Sequence, residues 1–349
     1  MLLALYSNST YFQMKKFKAM FILTLVLMSS FDFLILVFSL RLNPNSSDLC
    51  ENKVDPRTLR PDQMTVVISG YSEHRIPLLQ SIAARYSAAA SVSSILILWC
   101  NPATPTQTIS QLSKNLSHYS TVNAPISVIH ETTASLNSRF YPRESIDTHA
   151  VLICDDDVEL DSSSIDFAFN IWKSNPNHLI GFFARSHAYD LNTKSWIYTI
   201  SSDKYSIILT KAMIMKWEYL WEYSCGGGKV NEELRKIVDA ERNCEDILMN
   251  FVVADKINAG PILAGAERVR DWGDARNEGR VGKEEREAGL SSRRGEHRKR
   301  RGDCIREFHR VLGRMPLRYS YGKVVKSVGE QGLCEKSGKL VFCDQQVFK

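Results

Sequence analysis

The sequence contains no Cys-x-x-Cys pair and no His-Glu-x-x-His, so the common zinc patterns are absent. Its eight cysteines are spread over 349 residues, too dilute for a small scaffold built on disulfides. It has no Gly-x-y period, no long heptad run and no low-complexity tract, which excludes collagen, coiled coil and disorder throughout. Gly226-Gly227-Gly228-Lys229 lacks Walker spacing and a following Ser or Thr, so it is no P-loop and reads as a flexible loop. The net charge of +5 is too small to mark the chain as nucleic-acid-binding. What is present is 44% hydrophobic and 24% charged residues, enough for a substantial core in one large or two modest domains.

Residues 19–40 form an apolar run broken by a few Ser and Thr and by Asp32. Helix of about 20 residues crosses a bilayer core. Asp32 opposes insertion by roughly 3 kcal/mol near mid-span, and the run's Leu, Ile, Val and Phe outweigh it. The alternative, a cleaved signal peptide, fits poorly, because Ser39-Leu40-Arg41-Leu42 offers no small-x-small cleavage site. Lys15, Lys16 and Lys18 precede the run, whereas only Arg41 follows it before Lys53. That bias predicts a cytosolic tail over 1–18, a signal anchor over 19–40, a lumenal stem over 41–63 and a lumenal domain over 64–349. A lumenal site is oxidising and allows cysteines to pair. It also makes Asn115-Leu116-Ser117 a glycosylation acceptor.

Beyond the stem, short β-branched runs alternate with helical spacing. Strands are expected at 65–69, 94–99, 126–129 and 150–154, helices at 77–87, 105–118 and 162–173, the last with serine caps. Later strands are expected at 179–184, 195–200 and 205–209, and helices at 231–239, 245–257 and 304–312. Residues 267–302 are dense in charge and glycine and read as a mobile surface loop. Continuous apolar strands separated by helices imply an α/β domain with a mostly parallel central sheet covered on both faces. Such sheets bind ligands at the carboxyl ends of their strands, where Ser69, Asn101 and Asp155 to Asp157 fall.

Cys154-Asp155-Asp156-Asp157 is the most informative stretch. Three crowded carboxylates repel one another unless a cation or donors offset them. A hard divalent ion bridging a carboxylate to a diphosphate fits, and so does an acidic helix start. Arg139 and the basic run Arg293 to Arg301 are candidates for neutralising phosphate, the run being equally readable as a solvated loop. Asp246 opens an apolar helix, either as a helix-start acid or as a carboxylate facing a reacting group. Cys244 and Cys304 are a candidate pair that spacing alone does not establish. Cys100 and Cys154 read as buried thiols.

Taken in order, Ala150-Val151-Leu152-Ile153-Cys154-Asp155-Asp156-Asp157, Phe167-Ala168-Phe169-Asn170-Ile171-Trp172, Asn243-Cys244-Glu245-Asp246-Ile247-Leu248-Met249-Asn250-Phe251 and Met315-Pro316-Leu317-Arg318-Tyr319-Ser320 resemble the exostosin-like glycosyltransferases with a type II membrane anchor. Ile68-Ser69-Gly70-Tyr71-Ser72 and Glu267 to Arg276 are most similar to the plant branch, the glycosylinositol phosphorylceramide mannosyltransferases. The resemblance implies a GT-A fold, Golgi residence, Mn2+ and transfer with retention at the anomeric carbon. It implies GDP-mannose as donor and the glycan headgroup of a glycosylinositol phosphorylceramide as acceptor, with no nucleic-acid partner. Carried over by motif, Asp157 is the metal ligand, and Asp155 and Asp156 contact the nucleotide and ribose. Ser69, Asn101, Asn137 and Arg139 line the nucleotide site. Arg301 touches the diphosphate, Asp246 faces the reacting sugar, and Cys244 pairs with Cys304. Animal members carry Gln where Ser69 stands and use uridine donors, so the base pocket does not carry over. The rival readings are a UDP-N-acetylhexosamine transferase and a catalytically inactive lectin-like scaffold.

Overall fold

The computed structural model describes residues 50–51, 53–119, 123–273, 294–326, 331–336 and 338–346. The chain divides into two units, Met1–Asn52 and Lys53–Lys349. The expected tail, anchor and most of the stem lie outside the described residues. Among the described residues no helix is long and apolar enough to cross a membrane.

The second unit begins β1 (Arg60–Gly70), α1 (Ile76–Ser87), β2 (Val92–Trp99), α2 (Thr106–Ser117), β3 (Ile126–His130), β4 (Thr148–Asp155), β5 (Val158–Leu160) and α3 (Ser162–Ser174). It continues β6 (Ile180–Gly181), β7 (Ala184–Asp190), β8 (Ser195–Thr199), β9 (Lys204–Tyr205), β10 (Ile207–Ile208), β11 (Ala212–Lys216), α4 (Trp217–Ser224), α5 (Gly228–Glu241) and α6 (Glu245–Ile257). Then follow β12 (Ile262–Leu263), β13 (Val269–Asp271), α7 (Arg294–Leu312), β14 (Ser320–Tyr321) and a hairpin of β15 (Gln331–Lys336) and β16 (Lys339–Gln346).

Seven strands form the central sheet in the order β12-β6-β11-β4-β1-β2-β3. β4, β1, β2 and β3 run parallel, and so do β12 and β6. β11 is antiparallel to both of its neighbours, β4 and β6. The sheet is therefore mixed, mostly parallel as expected but with β11 reversed. The sequence reading missed β11 because Ala212-Met213-Ile214-Met215-Lys216 has one β-branched residue and no turn signal before it.

Side chains alternate between two apolar layers, as the period of two requires. Val66, Ile68, Ile95, Ile97, Trp99, Leu152 and Ile214 pack with Leu79, Ile82 and Tyr86 of α1, Leu112 and Leu116 of α2, and Phe169 and Trp172 of α3. Val67, Leu96, Leu98, Val151, Ile153, Met213 and Met215 pack on the other face. Their partners are Trp217 and Tyr223 of α4, Leu234 and Val238 of α5, Ile247 and Phe251 of α6, and Ile305 and Phe308 of α7. The result is a three-layer α/β/α arrangement, with Trp172 and Trp217 both in the core.

Three further expectations are corrected. The 267–302 stretch is not a loop throughout: Val269–Asp271 pairs antiparallel with β5, and α7 already begins at Arg294. Residues 274–293 lie outside the described residues. Gly228 and Lys229 open α5, with Gly227 (φ +68°) as its left-handed cap. The cap of α3 is Asp161, whose carboxylate accepts from the Ser164 N–H, rather than a serine.

Candidate active site

The carboxyl ends of the central strands gather the predicted residues. Ser69 pairs in register with Asp155, and Gly70 with Trp99. A Cβ on Gly70 would lie 3.1 Å from the Trp99 ring, so β1 leaves the sheet only where no side chain is needed. Beyond β4 the chain turns into β5, and β13 pairs with β5 so that the Trp272 N–H donates to the Asp157 carbonyl at 2.8 Å. This brings Asp271 and Gly273 against the three aspartates. A Cβ on Gly273 would meet Asp157 Oδ2 at 2.5 Å, so any larger residue there would have to displace that carboxylate oxygen.

Asp156 and Asp157 are buried and Asp155 is half-buried. Arg75 Nη1 donates to Asp156 Oδ1 and to Asp157 Oδ2, each at 2.9 Å. Asp157 Oδ1 is buried and accepts no hydrogen bond. Burial, with Asp156 and Asp155 beside it, pushes the Asp157 carboxyl up to about 7. Lys211, at the turn into β11, pairs with Asp271. Burial would lower its ammonium, but Asp271 and Asp157 reverse that and hold it above the ordinary range.

The other wall comes from the amino ends of α6 and the first turns of α7. Arg139 is buried and bridges the two walls, reaching Asp155 Oδ1 at 2.9 Å and Glu245 Oε1 at 3.3 Å. Arg301 Nη2 donates to Asp246 Oδ2 at 2.6 Å, and Nη1 to Asn243 Oδ1 at 3.1 Å. The Arg301 guanidinium also lies over the Tyr198 ring, 4.6 Å from its centroid. The Arg139 and Arg301 Nε atoms are buried without acceptors. A disulfide joins Cys244 to Cys304. It fixes the start of the helix that carries Asp246 to the helix that carries Arg301, with Cys244 held in a left-handed conformation (φ +78°). His297 lies one helical turn before Arg301, and burial and the Arg301 charge push its imidazole down to about 4.

Six carboxylates (Asp155, Asp156, Asp157, Glu245, Asp246 and Asp271) thus face four cations (Arg75, Arg139, Lys211 and Arg301). A divalent cation matches the surplus of negative charge, and Asp157 Oδ1 is buried without a hydrogen-bond partner among the described residues. No cluster of three or more His, Cys, Asp or Glu that could hold a metal by itself is found among the described residues. A metal here would need oxygens from elsewhere, such as a diphosphate.

The structure therefore brings together Arg139, Asp155, Asp156, Asp157, Asp246 and Arg301. Ser69 stands beside them with its hydroxyl buried and unpartnered. Asn101 lies at the end of β2, its side chain accepting from the Ala103 N–H at 3.1 Å. Asn137 does not join the group: its amide is used inside the fold, donating to the Arg235 carbonyl at 3.1 Å and accepting from the Tyr223 hydroxyl at 2.5 Å. Asn115 sits half-buried in the last turns of α2 and accepts from Gln111 at 2.7 Å. Arg75, Lys211, Glu245 and His297 were not singled out from sequence. Reading Arg293 to Arg301 as a helix would have exposed His297, because residues four apart share a face.

Residues 64–329 match the model of the glycosyl transferase family 64 domain. The chain is 65% identical over 300 residues to glycosyltransferase family protein 64 C3 of Arabidopsis thaliana, covering 85% of this chain and 91% of that one. It is 31% identical over 266 residues to glycosylinositol phosphorylceramide mannosyl transferase 1 of the same plant, covering 72% and 74%. It is 32% identical over 232 residues to exostosin-1a of Danio rerio, covering 65% of this chain but 29% of that protein.

Proposed function

The chain belongs to glycosyl transferase family 64, and we propose from that premise that it moves mannose from GDP-mannose to the glycan headgroup of a glycosylinositol phosphorylceramide, retaining the anomeric configuration. That it is a glycosyltransferase follows from the family. The mannose donor and the lipid acceptor rest on the likeness to the plant mannosyl transferase, and the aspartate and arginine cluster supports a diphosphate-bearing donor. The observation that carries the reading is the wall-to-wall pairing of Arg139 with Asp155 and Glu245. It ties the aspartate cluster, which in this reading meets the diphosphate, to a second carboxylate beside a buried arginine.

In this reading the architecture is a GT-A domain held by its N-terminal anchor at the Golgi membrane, facing the lumen. Asp157 holds Mn2+, for which its unpartnered Oδ1 is suited, and the ion supplies charge neutralisation for the diphosphate. Asp155 and Asp156 orient the ribose and nucleotide from the end of β4, and Arg139 locks Asp155. As the bond from the anomeric carbon to the diphosphate oxygen breaks, its electron pair leaves on the diphosphate. The fixed guanidinium of Arg301 is positioned to stabilise that charge with little reorganisation. Asp246, held on one oxygen by Arg301 and on the other by the Ile247 N–H at 2.7 Å, faces the sugar as nucleophile or as stabiliser of positive charge. The acceptor hydroxyl forms the new bond to the anomeric carbon and passes its proton to the departing diphosphate oxygen.

Calorimetry of the full chain with GDP-mannose and with UDP-N-acetylglucosamine, with and without Mn2+, tests the reading. Mn2+-dependent binding of GDP-mannose, lost in Asp157→Asn, is expected. Preference for the UDP donor would overturn the mannose assignment and leave the family intact. Binding of neither would favour the scaffold.

A further inference from the structure

We propose that Glu131 reads the base of the donor nucleotide and selects guanine over uracil. This rests on the nucleotide-sugar reading above and names the part of the site that the family resemblance leaves open.

The position comes first. Glu131 directly follows β3, and its N–H donates to the Trp99 carbonyl at 2.9 Å, so the sheet's pairing extends to it. It stands next to the end of β2, where the His130 imidazole donates to the Asn101 carbonyl at 2.9 Å. Asp155 ends β4, and the order β4-β1-β2-β3 separates the two carboxylates by three strand spacings, about 14 Å at ~4.8 Å each. A nucleoside diphosphate fits that span, with its ribose at Asp155 and Asp156, its diphosphate toward Asp157 and the far edge of its base over the ends of β2 and β3. The floor between is continuous. Arg139 binds Asp155, and its neighbour Ser138 touches Cys100 across 3.9 Å. The Ser138 carbonyl accepts from Arg143 at 3.0 Å.

The chemistry comes second. Glu131 is 12% exposed, and its Oε1 accepts from Arg143 Nη2 at 2.5 Å. Arg143 also lies over the Tyr141 ring, 5.5 Å from its centroid. Glu131 Oε1 is therefore fixed, whereas Oε2 has no hydrogen-bond partner among the described residues. An ionised carboxylate only accepts. Guanine presents two adjacent donors on its pairing edge, the N1–H and the N2 amine. Uracil presents a single N–H flanked by two carbonyl oxygens, and either oxygen would face a carboxylate oxygen. In a nearly buried site such a mismatch leaves polar groups unpaired and is rejected strongly.

The competing role for Glu131 is a purely structural ion pair that holds the segment between β3 and β4. Inosine diphosphate separates the two, because it keeps the ring and phosphates of GDP and lacks only the N2 amine. The experiment measures GDP, IDP and UDP affinities of the full chain with Mn2+ present, for the wild type, Glu131→Gln and Glu131→Asp. The wild type is expected to bind GDP about tenfold or more tighter than IDP, and UDP more weakly still, the size of one lost base-edge pair. Glu131→Gln replaces one acceptor with a donor and is expected to bring the GDP-to-IDP ratio to near one. Glu131→Asp keeps the charge beside Arg143 but withdraws it from the base, and is also expected to lose the ratio. The ratio is internal to each variant, so a general loss of folding does not mimic the result. Unchanged GDP-to-IDP ratios in both variants, or a wild type that does not distinguish GDP from IDP, would overturn the role of Glu131 while leaving a GDP donor standing. A wild type that prefers UDP would overturn the donor reading itself.

Discussion

Arg301 Nη2 and Asp246 Oδ2 lie 2.6 Å apart although 55 residues separate them, and both side chains are nearly inaccessible, at 6% and 4% exposed. The disulfide begins two residues before Asp246 and ends three after Arg301, so the ion pair and the covalent bond close the same junction of α6 and α7. Removing one member of a buried pair leaves a charge without its counter-charge. Asp246→Ala should therefore destabilise the fold by about 3–5 kcal/mol. Asp246→Ala combined with Arg301→Met should lose less than the sum of the two single changes. Denaturant unfolding of the four proteins gives the coupling, and additivity would show that the pair does not act as a unit.

Gly273 gives a probe of the aspartate cluster that leaves every charged side chain in place. Its missing Cβ leaves the space in which Asp157 Oδ2 meets Arg75. Gly273→Ala should push the carboxylate aside and weaken Mn2+ binding by about tenfold, equivalent to ~1.4 kcal/mol. The melting temperature should move little. Metal titration followed by water-proton relaxation reads this directly, and an unaltered affinity would separate Gly273 from the metal site.

Cutting the disulfide should be costly in its own right. The cross-link spans 60 residues, and loop closure of that length is worth about 4 kcal/mol in the chain-entropy account. Cys304→Ser is expected to lower stability on that order. In the proposed reading it should also raise KM for the donor, because Arg301 is loosened, and an unchanged KM in steady-state kinetics would separate the cross-link from the site.

His187 sets a pH dependence away from the catalytic groups. It is buried, bonded to the Ser206 hydroxyl at 2.7 Å and stacked on Tyr319. Burial, with Arg318 and Lys204 nearby, pushes its imidazole down to about 4. A depressed histidine folds neutral, so its contribution is complete above the unfolded value of about 6.5 and is lost as pH falls from there to 4. The loss should total on the order of 3 kcal/mol. His187→Gln should flatten that part of the stability profile, measured by thermal unfolding at stepped pH, and a profile parallel to the wild type would remove His187 as its source.

The first half of the domain was legible in sequence because local signals agree there. β1, β2, β3 and β4 are apolar and β-branched, their helices carry clear spacing, and the aspartates close β4. Of the residues that motifs mark, Asp157 and Asp246 come to one region of the fold, beside Arg139 and Arg301. Arg75, Lys211 and Glu131 were not legible, because each reaches the site only through the pairing of distant strands. Lys211 depends on β11 entering the sheet reversed, which Met213 and Met215 do not announce. The charge density of 267–302 hid the opposite fact, that Arg301 is buried and belongs to a helix. Asn137, expected at the nucleotide site from the resemblance, has its amide bonded to residues of α4 and α5.

The cross-link between Cys244 and Cys304 also bears on how this protein can be made. In a reducing host cytoplasm the two cysteines would stay as thiols, and the chain would accumulate with Asp246 and Arg301 on helices that nothing covalent holds in register. Preparations from such a host would be a mixture weighted toward poorly active molecules, whereas secretion through an oxidising compartment would select the competent form. Specific activity, compared between the two routes and after gentle reoxidation, becomes a measure of how far the catalytic junction has been assembled.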